Sequence, residues 1–329
     1  EGVEIFKKTP GIQVDVKTKM TPEELKAVIR DYDALVIRSA TKVTQEVIDR
    51  ADRLKVIGRA GIGLDNVDIP AASKRGIVVM NTPGGNAVTT GEHAISMMLS
   101  LDRKIPQATA SMKAGKWEKN KFTGHELLNK TLGIIGIGRV GSIVADRAQG
   151  LKMKVIAYDP FISPEAAKKT GITLASLDEI FRTADFITVH TPLTKETRGL
   201  INAAAFAKMK NTACVINCAR GGIIDEQDLY DALVSGRIAG AALDVFVEEP
   251  TKNMALIGLE NVICTPHLGA STDEAQINVA IAVAEQICAY LTTGEIKGAV
   301  NFPSVSAEIL SVIRPYLILA EKLGKFEAQ

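Results

Sequence analysis

The chain has 329 residues, 46% of them hydrophobic and 23% charged, a balance that suits folded globular material long enough for two domains. Its 39 Lys and Arg against 38 Asp and Glu leave a formal net charge of +1, which excludes the broad positive field that recruits nucleic acid or an anionic membrane. No apolar run approaches the ~20 residues that cross a bilayer, and no basic stretch leads into an apolar core with a cleavage site, so the cytoplasm is the expected compartment.

The first eighty residues alternate helix and strand signals. Thr21-Pro22-Glu23-Glu24 is a capping box with proline at the first helical position, and Ala34 to Ile37 is a short buried strand. Thr44 to Arg50 then reads as helix, Leu54 to Gly58 as strand, Asp68 to Ser73 as a capped helix and Ile77 to Met80 as strand. Turn residues at 81–86 break the pattern, and Val88 to Leu101 follows as a long apolar helix suited to crossing between domains. Six further strands are expected at 131–135, 154–158, 186–189, 213–217, 239–243 and 261–264, with helical patterns between them. Nearly continuous apolar strands alternating with helices indicate α/β architecture with parallel sheets covered on both faces. A second apolar helix, Asp273 to Leu291, is expected to return the chain to the first domain, and Ser311 to Phe326 reads as a terminal helix.

The sharpest motif lies in the second domain. Gly136-Ile137-Gly138-Arg139-Val140-Gly141 follows an apolar strand and opens a helix running to about Gln149, and Asp159 stands eighteen positions later at the end of the next strand. Gly136 permits the tight turn, Gly138 lets the backbone approach a pyrophosphate, and Gly141 lets the helix pack against the sheet. The diphosphate would meet the unpaired N–H groups and positive end of that helix. Asp159 would accept from the adenosine ribose hydroxyls and repel a 2′-phosphate. Proline, not arginine, follows it, which favours NAD over NADP.

Oxidation of an alcohol by such a cofactor needs a proton acceptor, a cation for the substrate and a carboxylate to tune the acceptor. Each type occurs just beyond a strand: Arg220 in the stretch 217–222, Glu249 in 244–250 and His267 in 265–270. Glu248 competes with its neighbour Glu249, and Arg220 could instead pair with Asp225. The glycine-rich loop Ala60-Gly61-Ile62-Gly63 offers N–H groups to a carboxylate, and Arg38 and Arg59 are candidates for the substrate's charged ends. His93 and His125 read as structural, and His190 as a residue of the cleft wall. Cys214, Cys218, Cys264 and Cys288 form no CxxC pair, so buried free thiols are expected, with neither zinc nor disulfide.

Taken together, 37–41, 58–66, 116–118, 219–222 and 266–272 resemble, in this order, the D-isomer-specific 2-hydroxyacid dehydrogenases, and the likeness covers nearly the whole chain. It implies two Rossmann-like domains, the cofactor domain inserted into a discontinuous substrate domain. The expected boundaries are 1–84 and 273–303 for the substrate domain, 85–272 for the NAD domain and 304–329 for a linker helix leading to a regulatory region. The family's opening strand is not found among these residues, so either the numbering starts after it or that sheet is incomplete. The implied activity is NAD-linked oxidation of 3-phosphoglycerate to 3-phosphohydroxypyruvate, the first step of phosphorylated serine biosynthesis. The alternatives are a glyoxylate or hydroxypyruvate reductase and, further off, an NAD-sensing corepressor-like module.

The resemblance also assigns roles. His267 takes the C2 hydroxyl proton, Glu249 rather than Glu248 stabilises its imidazolium, and Arg220 holds the substrate carboxylate and carbonyl oxygen. Cofactor contacts are implied for Ile62, Arg139, Val140, Thr191, Cys218, Ala219, Asp244 at the nicotinamide carboxamide, Gly269 and Ala270. Arg38, Ser39, Arg59, Ala60 and Gly61 join Arg220 toward the substrate. Trp117, between Lys116 and Lys121, would lie near the partner of a homodimer or homotetramer.

Overall fold

The computed structural model describes residues 1–302 and 307–327, which fall into two compact units, Ala87–Ser271 and Glu1–Asn86 with Thr272–Gln329. Both units are parallel α/β sheets, as the alternating pattern requires.

In the discontinuous unit, strands β1 (Ala34–Ile37), β2 (Val56–Arg59) and β3 (Val78–Asn81) pair in that order, all parallel. Successive residues of a strand face opposite sides. Ile57 and Val79 pack with Leu25, Ile29, Val47 and Ile48, while Val56, Val78 and Met80 pack with Phe6, Val283, Ala284 and Ile287. The second face is therefore closed by the helix Gly2–Lys8 and by the long helix Asp273–Thr293, which carries the chain back into this unit. Gly58 makes that closure possible, because a Cβ there would lie 2.5 Å from Ile287 Cδ1 and 2.6 Å from Val283 Cγ2. The capping box forms: Thr21 accepts from the Glu24 N–H and Glu24 accepts from the Thr21 N–H. The helix Ala307–Glu327 is longer at its start than its pattern suggested.

The other unit is a seven-stranded sheet of order β10-β9-β8-β7-β4-β5-β6. Its strands are β4 (Thr131–Ile135), β5 (Lys154–Tyr158), β6 (Thr173–Leu174), β7 (Phe186–Val189), β8 (Cys214–Asn217), β9 (Gly240–Leu243) and β10 (Val262–Cys264). Every pairing is parallel. The order reverses between β4 and β7, and ligands of open α/β sheets bind at such a switch point, outside the carboxyl ends of the strands. One face buries Leu132, Ile134, Phe186 and Ile216 under the helices Ala87–Asp102 and Arg139–Gly150; the other buries Ile135, Ile187, Val189 and Val215 under Ile180, Phe206 and Leu229. Strand β6 was missed because two residues at a sheet edge carry no alternation to read. One expectation about the cysteines is corrected: Cys264 is exposed, because it ends the edge strand β10, whereas Cys214, Cys218 and Cys288 are buried.

Candidate active site

The carboxyl edge of the seven-stranded sheet gathers most of the polar residues singled out above. At the switch point, β4 turns through Gly136 (φ 94°), whose missing side chain would meet the His190 carbonyl oxygen at 2.7 Å. Gly138 stands at the N-cap of the helix Arg139–Gly150, with no side-chain cap and open space where a Cβ would point. A Cβ on Gly141 would lie 2.0 Å from the Gly136 carbonyl oxygen, so the close helix-to-strand approach requires glycine. Arg139 is exposed and Val140 partly so, which leaves the first turn of the helix facing outward.

Asp159 follows β5. Its Oδ2 accepts from the Ile137 N–H and its Oδ1 from the Phe161 N–H, both at 2.8 Å, so it braces the glycine loop while each oxygen keeps a further lone pair. A shallow cleft of about 330 Å³ beside it is lined by Tyr158, Asp159, Leu174, Ala175 and Ser176. Across the switch point, His190 and Thr191 follow β7. The His190 ring is 2.9 Å from Thr188 Oγ1 through Nε2, and burial pushes its pKa down to about 4, so it is neutral near pH 7. Its Nδ1 and the Thr191 hydroxyl are shielded from water and have no hydrogen-bond partner among the described residues.

At the end of β8, the buried Asn217 organises the next turn. Its Nδ2 donates to the Arg220 carbonyl at 2.9 Å and its Oδ1 accepts from the Ala219 N–H at 3.0 Å. Cys218 is buried below this turn, and Arg220 Nη1 donates to the Ala219 carbonyl at 2.6 Å. A Cβ on Gly221 would lie 1.9 Å from the Phe246 carbonyl oxygen, so glycine lets the loops after β8 and β9 touch.

The loop after β9 carries Glu249. Its Oε1 accepts from the Phe246 N–H at 3.1 Å, and its Oε2 lies 2.7 Å from His267 Nδ1. The structure thus pairs the histidine with Glu249, while Glu248 turns outward to Lys252. His267 sits at φ 55°, the left-handed region that costs a non-glycine residue about 1 kcal/mol or more. Asp244, expected at the nicotinamide carboxamide, instead holds this loop in place: completely buried, it accepts from the N–H groups of Leu268 at 2.7 Å and Gly269 at 2.8 Å and from the Thr265 hydroxyl. Ala270 follows, half-buried.

In the discontinuous unit, Arg38 and Ser39 are exposed after β1, with Arg38 Nη1 3.5 Å from Gln276 Oε1. Arg59 ends β2 and folds over Gly61. The expectation that Ala60 and Gly61 lend their N–H groups to a ligand is corrected. The Ala60 N–H donates to the Ile37 carbonyl at 2.9 Å and the Gly61 N–H to Thr82 Oγ1 at 2.7 Å, because the strand register and the buried Thr82 claim them first. The loop is left with the N–H groups of Ile62 and Gly63, and the Ile62 carbonyl is pinned by Asn81 at 2.7 Å.

Residues 95–269 match the family model described as D-isomer specific 2-hydroxyacid dehydrogenase, NAD binding domain. The chain belongs to the D-isomer specific 2-hydroxyacid dehydrogenase family. It is 52% identical over 328 residues to the D-3-phosphoglycerate dehydrogenase of Synechocystis, covering 100% of this chain and 59% of that protein. It is 51% identical over 326 residues to the D-3-phosphoglycerate dehydrogenase of Archaeoglobus fulgidus, covering 99% of this chain and 62% of that protein. The chain therefore spans about three fifths of the length of these curated relatives. A solved structure of D-lactate dehydrogenase from Aquifex aeolicus, complexed with NAD and lactic acid, is similar with a TM-score of 0.77 at 29% identity, over 85% of this chain and 90% of that one. Among the described residues no helix is long and apolar enough to cross a membrane.

Proposed function

We propose that this chain carries the NAD-dependent oxidation of 3-phosphoglycerate to 3-phosphohydroxypyruvate, the first step of phosphorylated serine biosynthesis. The observation that carries the reading is the 2.7 Å His267–Glu249 pair at the same sheet edge as the glycine loop and Arg220. A dinucleotide fits the residues present: the uncapped helix start at Gly138, the open space above it, and the shielded Thr191 hydroxyl are what a diphosphate-bearing ligand would satisfy. Gly136, Gly138, Arg139, Val140, Gly141, Asp159 and Thr191 would hold its adenosine and diphosphate half, and Ile62, Cys218, Ala219, Gly269 and Ala270 its nicotinamide half, while the buried Asp244, expected at the carboxamide, would act through the loop that it holds. NAD is favoured over NADP by Asp159 with Pro160 after it.

A bound nicotinamide supplies the hydride acceptor. The protein's part follows from the pair. With Nδ1–H donated to Glu249, His267 presents Nε2 as the base that takes the C2 hydroxyl proton, and the imidazolium so formed shares its other proton with the carboxylate. Arg220 offers a planar fork to the substrate carboxylate and the C2 oxygen. Arg38, Ser39, Arg59 and the N–H groups of Ile62 and Gly63 are proposed to bind substrate, and the segment around Trp117, itself 79% exposed, to meet a second subunit.

The test is NADH oxidation with 3-phosphohydroxypyruvate beside hydroxypyruvate and glyoxylate, with His267→Ala as control. A preference of about tenfold for the phosphorylated substrate, worth about 1.4 kcal/mol, abolished in the control, supports the reading. Equal turnover of the small acids moves the chain to the general reductases.

A further inference from the structure

The helix Ala87–Asp102 lies outside the loops considered so far, yet one of its faces touches the loop that bears His267. Thr90, His93 and Met97 recur at i, i+3 and i+7, hence on a single side of the helix. Met97 Sδ is 3.8 Å from Thr265 Oγ1, and a Cβ at Gly269 would lie 3.4 Å from Thr90 Cγ2 and 3.0 Å from Asp244 Oδ2. His93 Nε2 lies 3.1 Å from Thr265 Oγ1 and 3.3 Å from Asp244 Oδ1.

These distances decide the tautomer. The Thr265 hydroxyl donates its proton to Asp244, so both oxygens facing Nε2 are acceptors, and Nε2 must carry hydrogen. His93 is thus a donor to a completely buried carboxylate, and an unsupported carboxylate there would be costly. Burial alone would raise the Asp244 pKa. Hydrogen bonds from His93, Thr265 and the Leu268 N–H outweigh it and hold the carboxyl below the usual range, so the group is charged when it grips the loop.

We propose that His93 is a positioning residue for the reaction: by supporting Asp244 and Thr265 it fixes the loop 265–269 and so holds His267 against Glu249. The proposal rests on the activity assigned above. His267 stands in the left-handed region at φ 55°, and such a conformation persists only where neighbours over-determine it. Asp244 ties Thr265, Leu268 and Gly269, on both sides of the histidine, to one point. Among the described residues, the other titratable group facing Asp244 is Cys218. The ligand atoms of His93, Cys218 and Asp244 lie within 4.8 Å of one another, a spacing that suits a metal. Burial and the Asp244 charge push the Cys218 thiol up, however, and the carboxylate is already engaged by three loop donors, so the cluster reads as a brace.

The experiment compares His93→Leu, which removes the donor, with His93→Gln, which returns an amide N–H at similar reach. Amide exchange at Leu268 and Gly269, kcat and KM for 3-phosphohydroxypyruvate, the pH profile and the thermal midpoint are all measured. His93→Leu is expected to speed exchange at both amides at least tenfold, to lower kcat about tenfold with a smaller change in KM and to displace the pH profile. The glutamine variant is expected to recover to within about threefold. Exchange and kcat within twofold of the parent in His93→Leu, or a lowered thermal midpoint with an unmoved pH profile, would overturn the proposal. If the leucine variant fails to fold, Thr265→Val probes the same brace by the same readouts. Exchange requires no substrate, so altered amides in a chain without turnover would sink the assigned activity and leave the positioning role standing.

Discussion

At Arg220 the chemistry depends on shape as much as charge. A lysine would keep the charge and lose the two parallel N–H bonds, so Arg220→Lys is expected to lower kcat/KM about 100-fold, near 3 kcal/mol, with the thermal midpoint within a few degrees of the parent. Steady-state kinetics beside a melting curve would check this, and a loss under fivefold would remove Arg220 from the substrate's carboxylate. Asn217 gives the complementary case. Its side chain is buried and makes two bonds to the turn that aims Arg220, so Asn217→Ala is expected to cost about 1–3 kcal/mol of stability and activity together. Glu249 and Glu248 show what a residue-level reading lacks: adjacent carboxylates of identical type are told apart only by where the loop points them, one to His267 and the other to Lys252.

Among the elements, the glycine loop and the helix it opens carry the clearest contrast. A methyl at Gly141 would collide with the Gly136 carbonyl at 2.0 Å, and the helix start would have to move. Gly141→Ala is therefore expected to lower both the melting temperature and NADH affinity, the latter tenfold or more. A methyl at Gly138 meets nothing within 4 Å, so Gly138→Ala should fold normally and lose affinity alone, because the methyl occupies the path to the backbone. Fluorescence titration with NADH, paired with thermal unfolding, separates the two; equal affinity in the Gly138 variant would mean that no ligand approaches there. The strands were readable as elements because apolar runs between turn residues leave few alternatives, but most began a residue or two later than their pattern. Ends are set by hydrogen-bond register with neighbours, which a single strand does not contain.

For the whole molecule, pH and ligand linkage apply. His190 has its pKa lowered to about 4 from 6.5, so it stays neutral when folded and takes a proton on unfolding. Its contribution is complete above pH 6.5 and is lost as pH falls from 6.5 toward 4, by about 1 kcal/mol per pH unit. Asp244 and Asp185, both lowered, add stability above the ordinary aspartate pKa of 3.8 that is lost as pH falls through their folded values. Urea unfolding from pH 7.5 to 4.5 should thus show a slope that flattens in His190→Gln, and an unchanged slope would mean the ring is solvated. NADH at 100 times its Kd is expected to add about 2.7 kcal/mol, and NADPH at the same concentration markedly less. Equal thermal shifts would defeat the preference argued from Asp159.

The sequence by itself determined the fold class, the strand-and-helix alternation and the glycine loop with its following acid, because each depends on local periodicity or on residue types placed just after a strand; Arg220 and His267 stood out as candidates by type and place, and Glu249 was preferred to Glu248 by resemblance alone. The tertiary structure alone decided which partners those groups take. It joined Glu249 to His267 across 18 positions, spent the Ala60 and Gly61 N–H groups inside the sheet and its Thr82 anchor, exposed Cys264 at an edge, and set His93 beneath a carboxylate 151 positions away. Hydrogen bonds and burial depend on distance in space, and the chain order carries that distance only where neighbours in sequence are also neighbours in the fold.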